Sequence, residues 1–252
     1  MKSKKVFHAV PVTLISVTHM IHDVFASFLA PILPLLINKL EMTYTMAGFL
    51  TVAQRFPVLL NPCVGVLADK INLRYFIIVA PSITTVSMCL LGVAPNYTVL
   101  VALLLIMGVG SVIFHVPSPV MIRKLAGDNV GKGMSFYMMG GEVARTLGPL
   151  IVLGAVSLWG LEGIWKLIPF GLLSSIVLFV KMRDMRMLND FRRNQPRKNG
   201  VKETFMEFVP LFSIISGILL FQAIMKGVLI TFLPTYITVK GGSLWFGGIS
   251  LV

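Results

Sequence analysis

Long apolar stretches alternate with short polar ones along almost the whole chain. A helix that crosses the hydrocarbon core of a bilayer, about 30 Å thick, needs about 20 mostly apolar residues. Seven stretches meet this requirement: residues 10–37, 44–68, 75–94, 97–122, 133–157, 164–181 and 208–238. An eighth apolar run starts near Trp245, and Val252 is reached before it is long enough to span. The pattern predicts an all-α membrane protein.

The links between the apolar stretches are short, with one exception. Residues 183–207 form a longer polar and basic segment. We therefore expect three parts: a six-helix transmembrane half at 1–182, a cytoplasmic connecting loop at 183–207, and an incomplete second half at 208–252.

The second half begins like the first. Four pairs of identical or similar residues are separated by 200 positions: Leu29 and Leu229, Pro34 and Pro234, Thr43 and Ser243, Gly48 and Gly248. Parallel repeats of six-helix halves are an architecture of secondary transporters. The repeat predicts a protein of about twice 200 residues, of which this chain would be a truncated form ending after the start of helix 8. Chance similarity between two apolar helices is the alternative.

Composition and charge agree with membrane insertion. Hydrophobic residues make up 56% of the chain and charged residues only 13%. The net charge of +12 would suggest nucleic acid as a partner of a soluble protein, but in a membrane protein the position of the charges decides. Sixteen of the 22 lysines and arginines fall on one side of the predicted spans and three on the other. Basic loops face the cytoplasm, which predicts a multi-pass plasma-membrane or inner-membrane protein with a cytoplasmic N-terminus.

Ionisable residues inside the apolar stretches are the candidate functional groups, because a charge in the bilayer needs a partner or a wet cavity. His19, His22 and Asp23 lie close together in the first span. A carboxylate beside groups that titrate near neutral pH is what proton coupling requires. We predict these three as the proton-coupling site.

Four of the first six spans carry ionisable groups in their interior, whereas the third and sixth carry no charged residue or histidine away from their ends and are predicted to face lipid. The candidate substrate-binding residues are Gln54, Arg55, His115, Glu142, Arg145, Gln222 and Lys226. Fixed ion pairs that hold helix register are the alternative, above all for Glu142 and Arg145 at i, i+3. His19, His22, Asp23 and His115 are also metal-ligand types, but their spacing matches no zinc-hydrolase pattern, and no metal is predicted. No nucleophile–base arrangement indicates an enzyme, and no cofactor is predicted.

Two glycine-containing motifs complete the picture. Gly140, Gly141, Gly148 and Pro149 would let the fifth helix approach a neighbour closely and bend. The stretch Gly65-Val-Leu-Ala-Asp69-Lys70-Ile-Asn-Leu-Arg74 resembles the cytoplasmic signature loop of the major facilitator superfamily. The resemblance implies a gating motif made by Gly65, Asp69, Lys70 and Arg74.

Several motifs in order resemble the fosmidomycin-resistance branch of that superfamily: Thr18-His19-Met-Ile-His22-Asp23, Asn61-Pro62, Gly108 to His115, and Gly140 to Leu150. After His115 that branch shows Pro-Glu, whereas this chain has Val116-Pro117. The resemblance implies the major facilitator fold and proton-coupled efflux of a drug or small organic anion. The partners would be the lipid bilayer, the small-molecule substrate and protons. An uptake symporter for a small organic acid and an inactive transporter fragment remain as alternatives.

Overall fold

The computed structural model describes residues 6–68, 74–183 and 201–251, and these residues form helices joined by short turns. Eleven α-helices are described, with 3₁₀ turns at Phe56–Leu60, Leu90–Val93 and Leu161–Leu167. They are α1 (Ala9–Ala26), α2 (Leu29–Lys39), α3 (Tyr44–Arg55), α4 (Asn61–Ala68), α5 (Arg74–Cys89), α6 (Tyr97–His115), α7 (Pro117–Leu125), α8 (Val130–Trp159), α9 (Ile168–Arg183), α10 (Val201–Val239) and α11 (Leu244–Ile249).

Seven spans result from these helices, in agreement with the sequence pattern. They are Ala9–Lys39, Tyr44–Leu67, Arg74–Val93, Tyr97–Leu125, Val130–Trp159, Leu161–Arg183 and Phe208–Val239. By length and composition each can cross a bilayer. We refer to them as spans 1 to 7.

Spans 1, 2 and 4 are broken in the middle. Span 1 is interrupted at Ser27 and Phe28, span 2 changes to a 3₁₀ turn at Phe56–Leu60, and span 4 breaks at Val116. Proline lacks the N–H that a helix interior needs, and prolines follow or lie within each break. Such interruptions are tolerated inside a membrane where they are buried in protein or line a cavity.

Spans 1 to 6 pack into one bundle. Two apolar clusters hold it together: one contains Phe28, Leu36 and Leu100, and the other contains Ile15, Phe114 and Leu178. Along span 1, the cluster that contains Ile15 precedes the cluster that contains Phe28. The segment of α1 that carries the histidines lies between the two clusters. The polar groups of span 1 therefore lie between two packed apolar layers.

Span 3 is not the lipid-facing helix that its apolar sequence predicted. In its most apolar window 61% of the residues are buried, the highest share among the seven spans. It packs against α1, α6 and α9. Composition could not show this, because a protein interior and lipid select the same apolar side chains.

The repeat is confirmed by the backbone. The first copy of the turn follows Lys39 and the second follows Val239, 200 residues later. Thr43 caps the N-terminus of α3 by accepting from the N–H of Met46 at 3.2 Å, and Ser243 caps α11 by accepting from Phe246 at 3.1 Å. Positive φ angles of 49° at Glu41 and 88° at Gly241 also match. The same local chemistry thus ends and restarts the helices in both copies.

Helix α10 corrects the predicted boundary of the connecting loop. We expected residues 183–207 to form a loop, but α10 already begins at Val201. The apolar span within this helix is Phe208–Val239.

Span 7 and the helix α11 that follows it both contact the bundle. A Cβ placed on Gly48 of span 2 would lie 3.5 Å from Phe232 of span 7, and one placed on Gly248 of α11 would meet Leu153 of span 5. The indole N–H of Trp245 in α11 donates to the Ser157 hydroxyl at 3.0 Å. These contacts lie near the end of span 7 that is opposite the basic links.

Candidate functional site

Asp23 lies between two histidines that come from different helices. Its Oδ2 atom is 3.2 Å from Nε2 of His19, one helical turn earlier on α1. Its Oδ1 atom is 3.2 Å from Nε2 of His115, the last residue of α6. The break after His115 ends α6 at this point and holds the imidazole at the carboxylate. Both oxygens of one carboxylate thus face an imidazole nitrogen.

Tyr137 on α8 contacts both of these histidines. Its backbone carbonyl lies 2.8 Å from Nδ1 of His19, and its hydroxyl lies 3.4 Å from Nδ1 of His115. Its ring also stacks on His19 with 4.0 Å between centroids. Sequence reasoning missed Tyr137. Its position four residues before Gly141, on the same helix face, was the available signal.

The backbone contact of His19 indicates which of its ring nitrogens donates a hydrogen bond. A backbone carbonyl can only accept, so Nδ1 of His19 must carry hydrogen. Nε2 then faces Asp23 with a lone pair unless a further proton sits on the imidazole or on the carboxylate. The contact of 3.2 Å between Nε2 and Oδ2 is favourable only with that proton present.

His22 has different surroundings from those predicted. Its side chain is fully buried and stacks on Phe114 with 4.5 Å between ring centroids. Its ring meets His115 edge-on at 5.3 Å. Neither ring nitrogen has a hydrogen-bond partner among the described residues. The sequence suggested His22 as a partner of Asp23, but in the structure the second histidine in contact with Asp23 is His115. The ring of His22 packs against the ring of His115.

This arrangement leads to a prediction about the two histidines. We expect His22→Phe to retain gradient-driven transport within about threefold, because a phenyl ring can replace the stacked imidazole. His115→Phe should reduce transport at least about tenfold, because it removes a charge-assisted contact to Asp23. Transport into vesicles under a fixed pH gradient measures both variants. Equal loss in the two would assign His22 a proton-carrying role instead.

A cavity of about 370 Å³ lies against Asp23 and His115. Spans 1, 2, 4, 5 and 7 line it, together with Leu251, and spans 3 and 6 contribute no lining residue. Four of the predicted substrate-binding residues line the cavity: Gln54, Arg55, His115 and Arg145. Thr51, Ser111 and Thr231 add hydroxyl groups.

The other predicted substrate-binding residues lie elsewhere. Glu142 is absent from the lining and binds Arg145 through both carboxylate oxygens, at 3.0 Å each. Gln222 and Lys226 are exposed on α10 and do not line the cavity. Gln54 donates to the carbonyl of Ala26 at 3.0 Å, so it also braces the break in span 1.

The predicted gating residues are only partly described. Asp69 and Lys70 lie outside the described residues. A Cβ added to Gly65 would meet no atom within 4 Å. Arg74 is buried and donates to the carbonyls of Met182 at 3.0 Å and Arg183 at 3.2 Å. It therefore caps the end of span 6, and a gating role remains a prediction.

The glycines of α8 do make the close approach that the sequence indicated. A Cβ on Gly140 would lie 2.5 Å from the carbonyl oxygen of Ser16, and one on Gly141 would lie 2.9 Å from the His19 ring. One on Gly148 would overlap the Ser27 hydroxyl. Pro149 lines the cavity. The small residues thus allow α8 to pack closely against α1, which brings Tyr137 into contact with His19.

His19, Asp23 and His115 together are also the residues best placed for a metal ion. Their donor atoms lie within 4.8 Å of one another. Two imidazoles and a carboxylate are a ligand set that divalent transition metals accept.

Comparison with known proteins agrees with this fold. The family model of the Major Facilitator Superfamily matches residues 15–252. The chain therefore belongs to the Major Facilitator Superfamily, and it is a multi-pass membrane protein of a transporter family.

Two curated proteins are similar in sequence. The "Fosmidomycin resistance protein" of Escherichia coli (strain K12) is 27% identical over 165 residues, which cover 65% of this chain and 41% of that protein. The "Uncharacterized MFS-type transporter YfnC" of Bacillus subtilis (strain 168) is 25% identical over 139 residues, which cover 55% and 34% respectively. The matches thus span less than half of the length of these relatives.

Solved structures confirm the architecture. A bacterial homologue of the human lysosomal transporter Spinster, in its inward-facing and unoccupied conformation, superposes with a TM-score of 0.79 at 17% identity. The match covers 98% of this chain and 59% of that one. The occupied inward-facing form gives a TM-score of 0.76 at 16% identity. At this identity the likeness concerns the fold alone.

Proposed function

We propose that the protein is a proton-coupled secondary transporter that exports a small, drug-like organic anion. The observation that carries the proposal is the carboxylate of Asp23, held between His19 and His115 at the wall of a cavity that also contains Arg55 and Arg145. The wall of this one cavity thus carries both titratable groups, at Asp23 and His115, and cationic groups, at Arg55 and Arg145.

The proton part of the proposal rests on the contacts of Asp23. Histidine titrates close to physiological pH, so a carboxylate flanked by two imidazoles can bind and release a proton in the working range of a transporter. Asp23 lies on α1 and His115 on α6, so a change in the protonation of this cluster would alter the contact that joins the two helices.

The anion part rests on Arg55 and Arg145. Arg55 of span 2 and Arg145 of span 5 both line the cavity. Guanidinium groups bind carboxylates and phosphates through paired hydrogen bonds. Arg145 also forms an ion pair with Glu142 at 3.0 Å, and an anionic substrate would compete with Glu142 for it.

Export rather than uptake is supported by the relative from Escherichia coli, whose name records fosmidomycin resistance.

The proposal is tested in everted membrane vesicles that contain the protein expressed from its full reading frame. An inward-acidic pH gradient should drive uptake of fosmidomycin, the probe anion, and a protonophore should stop it. Accumulation of the probe in right-side-out vesicles under an outside-acidic pH gradient would instead indicate an uptake symporter. Absence of any gradient-dependent movement of the probe would count against proton coupling with this anion.

Arg55→Gln provides the test of anion recognition. We expect it to raise the KM for the anionic probe about tenfold, the effect of losing one charge-assisted contact. Lys226→Gln is the matched control, because this cation is exposed and away from the cavity. An equal effect of both substitutions on KM would argue against a specific role of Arg55.

A further inference from the structure

A second depression in the molecule lies on the other side of span 1 from the Asp23 cavity. It is a groove of about 540 Å³ between spans 1, 5 and 6. Its walls include Leu14 and Phe25 of span 1, Ile151 of span 5, and Leu173 and Val177 of span 6. None of the ionisable residues of the site described above lines it.

The groove offers no free polar group to an occupant. Thr18 and Ser174 are the only hydroxyl residues among its lining. Thr18 donates to the carbonyl of Leu14 at 2.9 Å, and Ser174 donates to that of Gly171 at 2.7 Å. Both hydroxyls therefore satisfy carbonyls of their own helices. An occupant that needs hydrogen bonds would lose them on entry, so the groove suits a purely apolar chain.

The length of the groove corresponds to one leaflet of a bilayer. From Leu14 to Phe25 the helix rises about 16 Å at 1.5 Å per residue. Half of a hydrocarbon core of about 30 Å has nearly the same length. The groove begins near the basic ends of spans 1 and 6 and stops near the level of Leu167 in span 6. Three of its lining residues on span 6, Phe170, Leu173 and Val177, remain exposed, with 57% exposure for Leu173.

A positive charge stands at the basic end of the groove. Lys181 is exposed and lies four residues after Val177, so the two side chains share one face of α9. A headgroup whose acyl chain follows the groove would reach Lys181 at the membrane surface. Anionic lipids are attracted to basic residues at this position.

We propose that the groove between spans 1, 5 and 6 is a binding site for one acyl chain of an anionic phospholipid from the leaflet on the basic side, with Lys181 at the headgroup. Such a lipid would fill the space behind α1, the helix that carries His19 and Asp23. The site is independent of the transported substrate.

Native mass spectrometry of the purified chain tests this proposal with two probes, dioleoyl-phosphatidylglycerol and dioleoyl-phosphatidylcholine. We expect one retained phosphatidylglycerol per chain. Leu173→Trp should lower its retention at least about fivefold by filling the groove. Ile176→Trp adds the same bulk to an exposed position of the same helix outside the groove and should leave retention unchanged.

The headgroup is tested separately. Lys181→Gln should lower retention of phosphatidylglycerol about fivefold, the factor expected from one lysine at the surface, and leave phosphatidylcholine unchanged. Lys166→Gln, at the other end of span 6, is the control. Equal retention of the two lipids by the unchanged chain would overturn the headgroup assignment. No retained lipid, or equal loss in both tryptophan variants, would overturn the groove site itself.

Discussion

Asp23→Asn is expected to abolish proton-driven transport while the helices stay packed. Asparagine has the same shape and can still bond His19 and His115, but it cannot bind and release the proton that these groups share. A charge-assisted contact of this kind is worth about 3 kcal/mol, which corresponds to a factor of roughly 100 in an equilibrium constant. We expect a loss of gradient-driven export of about that size.

Substrate exchange without a pH gradient is the control for Asp23→Asn. Exchange moves substrate in both directions and needs no net proton movement, so the variant should still perform it. Loss of exchange together with export would show that Asp23 is needed for substrate binding or folding. Unchanged export would remove Asp23 from the coupling mechanism.

Gly140→Ala and Gly154→Ala are expected to change stability in opposite directions, although both lie in α8. A methyl group on Gly140 would come within 2.5 Å of the carbonyl oxygen of Ser16, and α1 would have to move. Overpacking of this kind costs about 1–3 kcal/mol. A methyl group on Gly154 meets nothing within 4 Å, so the higher helix propensity of alanine should contribute about 1 kcal/mol of stability.

Thermal unfolding in detergent, followed by circular dichroism, compares the two variants. Gly140→Ala should unfold several degrees below the unchanged protein, and Gly154→Ala at or above it. The displacement of α1 in the first variant should also weaken transport, because α1 carries His19 and Asp23. Equal midpoints would mean that the contact between α1 and α8 is more pliable than its geometry indicates.

Much of this architecture could be predicted from the sequence, because the length of an apolar stretch determines whether it can cross the membrane as a helix. The repeat was visible in Thr43 and Ser243, since both serve the same local function as helix caps. The burial of span 3 was not visible. An apolar helix is equally compatible with lipid and with three protein neighbours, and only the packing distinguishes them.

The residue types of the site could be predicted from the sequence, but which side chains contact Asp23 could be predicted only in part. Spacing within α1 correctly placed His19 beside Asp23, because i and i+4 share a helix face. His22 was grouped with them because it is adjacent in the chain. The second partner is His115, 92 positions after Asp23, and its approach depends on where α6 breaks and how α6 packs on α1. Tyr137 joins the cluster through its backbone carbonyl, its hydroxyl and its ring, and its spacing from Gly141 alone did not show that its carbonyl meets His19.

The uneven burial of the spans has a consequence for biosynthesis. In the most apolar windows of spans 1 and 3 to 6, 39–61% of the residues are buried, compared with 11% in span 2 and 0% in span 7. The roughly 25 residues between Arg183 and Phe208 take about one to five seconds to synthesise at typical rates. Because helix association is fast on that scale, the first six helices can assemble in the membrane before the ribosome has delivered the seventh. The half that contains Asp23 would thus be built during translation, and the cavity would form only when later helices dock on it.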